Sequence, residues 1–159
     1  GRAGGDLICA GSGADVVDGG PGADTIFGQN RPDTIYGWRS GATLQGDSSA
    51  DTICGHRGAD TIHGRAGADT IDGGGKNDTI FGEGGADTIN GGTGNDIIEG
   101  GNKGDTLSGN SGRDTLRGQA GDDELRGGKG TDTCNGGPGA DTAFSCETAR
   151  RIYASNRAR

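Results

Sequence analysis

The feature that most constrains this chain is an aspartate that returns every nine residues, from Asp6 to Asp141, without one insertion or deletion. The only gap in the series is position 42, which is alanine. Two residues after each position of the series the residue is apolar or cysteine, from Ile8 to Ala143. A strict short period of this kind is typical of a solenoid, in which each repeat stacks on the next.

Each nine-residue unit divides into a strand half and a turn half, as in GGTGNDIIE at 91–99. After the aspartate, residues such as Thr79-Ile80-Phe81 have β-branched or aromatic character and alternate, which predicts a strand of about three residues. Before it, glycines supply the positive φ values of a tight turn of about six residues. Two units therefore close one coil of about 18 residues, and the chain makes about eight coils.

The predicted fold is an all-β parallel β-roll (β-solenoid) with two facing parallel sheets. Alternation along each strand points the Ile, Leu and Val positions inward, where they form a thin spine. Hydrophobic residues make up only 28% of the chain and aromatic residues 4%, so no broad globular core is available. Something besides apolar burial must stabilise the coil.

The repeats predict two regions, the β-roll over 1–142 and a C-terminal cap with a basic tail over 143–159. A short helix is expected around 147–153. The patch at 29–50 is irregular, because Trp38 stands where a glycine is expected and Ala42 replaces the aspartate. The apolar positions Ile35 and Leu44 persist there, so the coil is expected to continue through the patch.

The formal charge of −8 understates the acidity of the repeats, because the C-terminal tail is net positive. An acidic surface favours cations and argues against nucleic acid as a partner. No apolar run approaches the roughly 20 residues of a membrane span. No set of nucleophile, base and orienting group is apparent, and the cysteine spacing fits no zinc template, so we expect no enzymatic activity.

The repeat resembles the calcium-binding unit G-G-x-G-x-D-x-U-x of RTX proteins, and the resemblance extends over 1–142. It implies calcium ions held by aspartates and by turn carbonyls of successive coils. The carbonyl ligands that it implies are those of turn glycines such as Gly73, Gly91, Gly109 and Gly127. A local disulfide between Cys134 and Cys146, 12 residues apart, would lock the C-terminal cap, and similar pairs close proteins of this type.

Coils of 18 residues stack the aspartates into two rows. Calcium prefers six to eight hard oxygen ligands, which carboxylates and turn carbonyls supply. If the aspartates only capped turns, like charges roughly 5 Å apart would stay uncompensated, so we favour calcium over this alternative. The predicted metal ligands are Asp6, Asp15, Asp24, Asp33, Asp51, Asp60, Asp69, Asp78, Asp87, Asp96, Asp105, Asp114, Asp123, Asp132 and Asp141.

Calcium is expected to drive folding, because the site is not preformed in an unfolded chain. The best sites are expected where the motif is most regular, between Asp78 and Asp96, between Asp96 and Asp114, and between Asp114 and Asp132. The missing carboxylate at Ala42 should interrupt one row. Bulky residues such as Arg65 and Glu83 must adopt a conformation that favours glycine, which should weaken other sites.

Cys9 and Cys54 lie five units apart, an odd number, which predicts opposite sheets and excludes a bond between them within one chain. They are either free or paired between chains. Cysteines in an acidic chain without methionine, which begins in register with the repeat, lead us to expect a processed, secreted, extracellular protein.

Three functions fit these features. A calcium-loaded structural β-roll would stack end to end as a homo-oligomer or filament in an extracellular fibre or matrix. An ice-binding protein would use the solvent-facing file Thr34, Thr52, Thr70, Thr88 and Thr106. A passive calcium-binding module would belong to a larger secreted protein. We expect the first of these.

Overall fold

The computed structural model describes residues 1–152, and their regular structure consists of β-strands in two parallel sheets of nine and eight strands. Residues 153–159, which hold two of the four arginines of the predicted basic tail, lie outside the described part. The strands are β1 (Leu7–Ser12), β2 (Val16–Asp18), β3 (Thr25–Asn30), β4 (Thr34–Tyr36), β5 (Thr43–Ser48), β6 (Thr52–Cys54), β7 (Thr61–Ala66), β8 (Thr70–Gly75), β9 (Thr79–Gly84), β10 (Thr88–Thr93), β11 (Ile97–Asn102), β12 (Thr106–Ser111), β13 (Thr115–Ala120), β14 (Glu124–Lys129), β15 (Thr133–Asn135), β16 (Thr142–Phe144) and β17 (Thr148–Arg150).

Consecutive strands lie in opposite sheets, so that odd strands form one sheet and even strands the other. Neighbouring strands pair at a spacing of 18 residues, as in Ile89 beside Ile71 and Leu107. This arrangement confirms the predicted β-roll with two units per coil. The patch around Ala42 also keeps the register, because Leu44 pairs with Ile26 on one side and Ile62 on the other.

Most strands are six residues long, twice the predicted length. The glycine half of the unit continues the ladder, as in Gly92 beside Gly74 and Asn110. Because the coils stack in register, the backbone of one turn also lies against the turn of the next coil. Strands stay at three residues at β4, within the irregular patch, and at β6, just after it.

The predicted spine is confirmed. Its residues from Ile26 to Leu125 are at most 1% exposed, and Ala143 packs partly buried against its end. The threonine file from Thr34 to Thr106 is in register on the even sheet, and most of its members are exposed. Within residues 1–152 no helix has the length and apolar character of a membrane span.

The C-terminal end differs from the expectation of a helix. Residues 148–150 form β17, which pairs with β15 and adds one more strand to the odd sheet. The predicted disulfide between Cys134 and Cys146 is confirmed, with their Cα atoms 6.0 Å apart. Since Cys134 is fully buried on the spine, the bond ties the chain end to the last coils of the core.

The remaining cysteines lie as predicted on opposite sheets, Cys9 on β1 and Cys54 on β6. Both are free in the described chain; Cys9 is exposed and Cys54 is partly buried. The bulky residues in glycine places also adopt the expected left-handed conformation, with φ of 80° at Arg65 and 73° at Glu83. For a residue with a Cβ this conformation costs roughly 1–2 kcal/mol.

Candidate metal centre

The repeated aspartates lie at the point where each turn enters a strand, immediately before the first strand residue. From the second coil onward their side chains are buried, at 3% exposure or less. Asp6 and Asp15, in the first coil, are only half-buried. The buried members are Asp24, Asp33, Asp51, Asp60, Asp69, Asp78, Asp87, Asp96, Asp105, Asp114, Asp123, Asp132 and Asp141.

One oxygen of each buried carboxylate is engaged by the neighbouring coil. The backbone N–H of Asp60 donates to Oδ1 of Asp78 at 2.8 Å, and that of Asp78 donates to Oδ1 of Asp96 at 2.9 Å. The same bond recurs further along the row, where the backbone N–H of Asp114 donates to Oδ1 of Asp132. Aspartate therefore does cap the turns, but between coils rather than within one unit.

The second oxygen, Oδ2, has no hydrogen-bond partner at any of the buried aspartates. Buried polar atoms are nearly always paired in proteins, so a regular series of unpaired anionic oxygens calls for an explanation. A repeated charge without any compensation would be strongly unfavourable. These atoms are therefore the ones available to a cation.

Each Oδ2 lies beside a turn glycine, in a space that a side chain would fill. A Cβ placed on Gly73 would lie 2.7 Å from Asp78 Oδ2 and 2.7 Å from the carbonyl oxygen of Gly91. A Cβ on Gly55 would lie 2.5 Å from Asp60 Oδ2 and 2.6 Å from the carbonyl oxygen of Gly73. Two oxygens thus converge on one point at nearly the distance of calcium ligands, about 2.3–2.6 Å.

Three of the four glycine carbonyls named from the sequence face such a point. The carbonyl oxygen of Gly73 shares such a point with Oδ2 of Asp60, that of Gly91 with Oδ2 of Asp78, and that of Gly127 with Oδ2 of Asp114. Beside Gly91, where the Gly109 carbonyl is expected, the three nearest atoms all belong to Asp96.

The other row repeats the arrangement with carbonyls that the sequence reasoning did not name. The nine-residue period was the signal that could have found them. These carbonyls belong to Gly46, Gly64, Gly82, Gly100, Gly118 and Gly136.

The donor set consists of oxygens, and backbone carbonyls must supply much of it. Within residues 1–152 no three His, Cys, Asp or Glu side chains converge as a metal-binding group. One carboxylate oxygen with turn carbonyls suits a hard cation such as calcium, which accepts many oxygen ligands in flexible geometry. It does not suit zinc, which prefers a few nitrogen or sulfur ligands.

Burial raises the pKa of the repeated aspartates from Asp51 to Asp132 above the ordinary value of 3.8. The pKa of Asp96 rises to about 6 and that of Asp78 to about 7, with loss of solvation as the main cause. The backbone N–H bond from the preceding coil lowers the pKa, and the charges of neighbouring aspartates raise it again. The raised pKa means that burial disfavours the anionic form of these carboxyl groups, and a bound cation would supply the counter-charge that this form needs.

The row is interrupted at Ala42, as predicted. The backbone N–H of Ala42 still donates to Asp60 Oδ1 at 2.7 Å, but Ala42 offers no acceptor to Asp24. A Cβ on Gly37 would meet the methyl carbon of Ala42 at 3.3 Å and no carboxylate oxygen. This coil lacks the anionic half of the site.

Glu147 ends the row of carboxylates on the C-terminal side, and the sequence reasoning missed it. Its Oε2 accepts a hydrogen bond of 2.5 Å from the backbone N–H of Asp132, the bond that an aspartate makes elsewhere. Thr148 pairs with Thr133, so Glu147 stands in the column of the repeated aspartates. The segment Glu147-Thr148-Ala149 mimics Asp-Thr-Ile, a signal hidden by a coil three residues shorter than the others.

The fold and the site together define a class: a parallel β-roll whose turns present carboxylate and carbonyl oxygens to a hard cation. The RTX calcium-binding nonapeptide repeat family matches this chain at 1–35, 18–40, 42–71, 63–98, 72–107, 99–134 and 108–143. The chain belongs to that family of calcium-binding repeats. A search of curated proteins finds no match to the chain.

Proposed function

We propose that this protein is a secreted structural β-roll that folds when calcium binds between its coils. The observation that supports the proposal most is the series of buried, unpaired Oδ2 atoms beside turn carbonyls. The proposed ligands are the buried aspartates together with the glycine carbonyls that face them.

Calcium dependence follows from the balance of forces in the coil. Each strand contributes only one residue to the spine, so the apolar area buried is small for a chain of 159 residues. Isolated buried carboxylates oppose folding, whereas a cation between the coils compensates them and joins neighbouring turns. Ion binding then contributes directly to the free energy of folding.

The first test compares two glycine variants of one turn. Gly73→Ala places a Cβ in the space between Asp78 Oδ2 and the Gly91 carbonyl, without requiring a left-handed backbone. Gly75→Ala is the matched control, since its Cβ would meet no carboxylate oxygen, and its one tight contact, at 3.3 Å, is with the side-chain hydroxyl of Thr93. Circular dichroism during a calcium titration of the wild type should show strand signal that appears with calcium and is lost in chelator.

We expect Gly73→Ala to need more calcium for folding and to bind fewer ions by isothermal titration calorimetry, while Gly75→Ala behaves like the wild type. Strand content in chelator at neutral pH equal to that in calcium would refute calcium-driven folding. Equal effects of both variants would refute the assignment of the site.

Secretion is supported by the disulfide between Cys134 and Cys146, because such bonds persist in oxidising compartments. Fractionation of the native source, followed by thiol labelling, tests it. The protein should be found outside the cell with these two cysteines protected from the label. Recovery only from the cytoplasm with reduced thiols would contradict secretion.

End-to-end assembly is supported by the strand edges at the ends of the roll. Strand β1 pairs on one side only, with β3, and such an edge is a template for another strand. We expect concentration-dependent oligomers in calcium by analytical ultracentrifugation and rods of increasing length by electron microscopy. Monomers at all concentrations by both methods would exclude assembly. Non-reducing electrophoresis tests whether Cys9 or Cys54 links two chains.

Ice binding is a second candidate because Thr52, Thr70, Thr88 and Thr106 stand in register and exposed on one sheet. The neighbouring file is mixed, with Cys54 beside Asp72 and Asn90 beside Ser108. Thermal hysteresis of the calcium-loaded protein decides between the functions. Its absence would remove ice binding and leave the structural proposal intact. In a passive module, calcium binding would persist without assembly or hysteresis.

A further inference from the structure

Two successive turns of the even sheet carry an aromatic and basic cluster that calcium binding does not use. They are residues 38–41, Trp-Arg-Ser-Gly, and residues 56–59, His-Arg-Gly-Ala. The two turns lie against each other, since the backbone N–H of Arg57 donates to the carbonyl oxygen of Trp38 at 2.8 Å. The same place in neighbouring coils is occupied by Gly20 and Gly74, so the cluster is confined to these two coils.

Three rings lie together at this corner. The imidazole of His56 stacks on Tyr36, with centroids 5.8 Å apart and planes at 27°. The indole of Trp38 lies 6.2 Å from the same imidazole at an angle of 50°. Trp38 is 39% exposed, and both Trp38 and His56 have positive φ, at 79° and 74°. Large side chains are held in a conformation that favours glycine, which aims them outward from the turn.

Beside the rings is a surface pocket of about 220 Å³, lined by Trp38, Arg39, His56 and Arg57. Its polar lining is basic, on a chain whose net charge is −8. Arg39 and Arg57 are exposed, and neither forms an ion pair within the described residues. Two guanidinium groups are therefore available to a ligand.

The missing aspartate lies at the same turn. Ala42 follows the Trp38 turn, and next to Gly37 the structure has a methyl group where other coils have a carboxylate oxygen. An anion in the pocket therefore meets one buried negative charge fewer than it would beside two regular turns of this row, because only Asp60 remains. The interruption in the calcium row thus coincides with one of the two turns that form the basic pocket, and the other turn is followed by Asp60.

We propose that this pocket binds a ring that carries a carboxylate group. The flat faces of Trp38 and His56 are suited to stack on the ring, and the guanidinium forks of Arg39 and Arg57 are suited to bidentate contact with the carboxylate. The pocket is open to solvent and admits one ring. The ring has two possible sources, an aromatic acid or a sugar acid, and both share this chemistry.

The test uses the full chain in saturating, buffered calcium. Trp38 is the only tryptophan of the protein, so its fluorescence reports on the pocket directly. Benzoate and glucuronate are titrated as the two charged rings, with benzyl alcohol and glucose as their neutral counterparts. We expect one or both acids to change the fluorescence in a saturable manner, and the neutral compounds to give no such change. The responding acid identifies the source.

Charge variants assign the contact. Arg39→Gln and Arg57→Gln should each weaken binding about tenfold, since each removes a charge-assisted hydrogen bond. Arg113→Gln is the matched control, because Arg113 lies exposed on a distant turn of the even sheet. Arg39→Lys and Arg57→Lys keep the charge but lose the bidentate guanidinium group. Their affinity for the acid should lie between those of the wild type and the glutamine variants. Circular dichroism in calcium checks that every variant is folded. If a glutamine variant does not fold, the lysine variant at the same position replaces it in the comparison.

Three outcomes would overturn the proposal. The first is the absence of saturable binding of either acid. The second is equal binding of the neutral rings, and the third is an equal effect of Arg113→Gln. The proposal does not depend on how calcium ions are distributed, so it can fail while calcium-driven folding holds.

Discussion

The backbone N–H of Asp78 donates to Oδ1 of Asp96 across the gap between two coils, at 2.9 Å, while Oδ2 of Asp96 stays buried without a partner. One carboxylate thus has two separate roles. Oδ1 fixes the register of neighbouring coils in the apolar interior, and Oδ2 faces the turn where a cation can bind. Substitutions that affect the two oxygens differently can separate the roles.

Asp96→Asn should keep the acceptor for Asp78 N–H and remove the anionic charge. We expect calcium affinity at that site to fall at least about tenfold, the scale of losses when metal-site support is removed. Asp96→Ala should lose the acceptor as well, leaving a buried N–H unpaired at a further cost of about 1–3 kcal/mol. Calcium titration calorimetry and thermal melting in calcium measure the two effects.

Asp18→Asn is the control for these variants, because Asp18 is exposed and outside the repeated series. It should change neither the calcium response nor the melting temperature appreciably. If Asp96→Asn also left the calcium response unchanged, Oδ2 would not be a calcium ligand.

The second prediction concerns pH in the absence of calcium. The pKa values of Asp60 and Asp105 are raised from 3.8 to about 6 and about 7, mainly because burial removes solvation. The folded coil therefore binds more protons than the unfolded chain, and its stability falls as the pH rises. The stabilisation by protons is fully present below pH 3.8 and is lost as the pH rises through about 6 to 7.

Circular dichroism in chelator should therefore show strand signal that grows as the pH is lowered from 7 to about 4. With saturating calcium the trend should weaken or reverse, because protons then compete with the ion for the same oxygens. A calcium-free chain that is folded equally well at both pH values would contradict this account of the aspartates.

The sequence predicts the coil, because the apolar residue recurs at the same position of every nine-residue unit. Residues such as Ile80 and Ile98 can all point inward only if two units form each coil. It also predicts the columns of aspartates, since the 18-residue register follows from the period. It does not show which carboxylate oxygen a neighbouring N–H occupies, because Oδ1 and Oδ2 differ only through contacts between coils. Glu147 was hidden for a related reason, since the shortened last coil breaks the period although its carboxylate fills the same place.

The third prediction restores the interrupted row. Ala42→Asp places an acceptor opposite the backbone N–H of Asp24 and a carboxylate oxygen beside Gly37, as in the coils on either side. In calcium we expect an additional bound ion and a higher melting temperature. In chelator at neutral pH we expect lower stability, because a further buried charge is uncompensated.

Ala42→Asn is the matched control for that variant, since it supplies the hydrogen-bond acceptor without the charge. It should stabilise the coil modestly, by about 1 kcal/mol, with or without calcium. A gain in calcium binding with asparagine equal to that with aspartate would show that register, rather than charge, limits this site.

The last prediction concerns the disulfide at the C-terminal end. Cys134 lies fully buried on the spine, and Cys146 packs against the core from the segment before β17. In a stack of repeats stability depends on contacts with neighbours, so loss of the bond should fray the last coils first. Closure of a loop of this size contributes about 3 kcal/mol in the chain-entropy description.

Replacing both cysteines with alanine, a residue that the spine already holds at Ala143, should lower the melting temperature in calcium. Hydrogen exchange should speed up mainly in β15, β16 and β17 and little at β7, with Cys9→Ala, at an exposed cysteine, as the control. Equal acceleration along the whole roll would contradict a local cap and indicate a single cooperative unit.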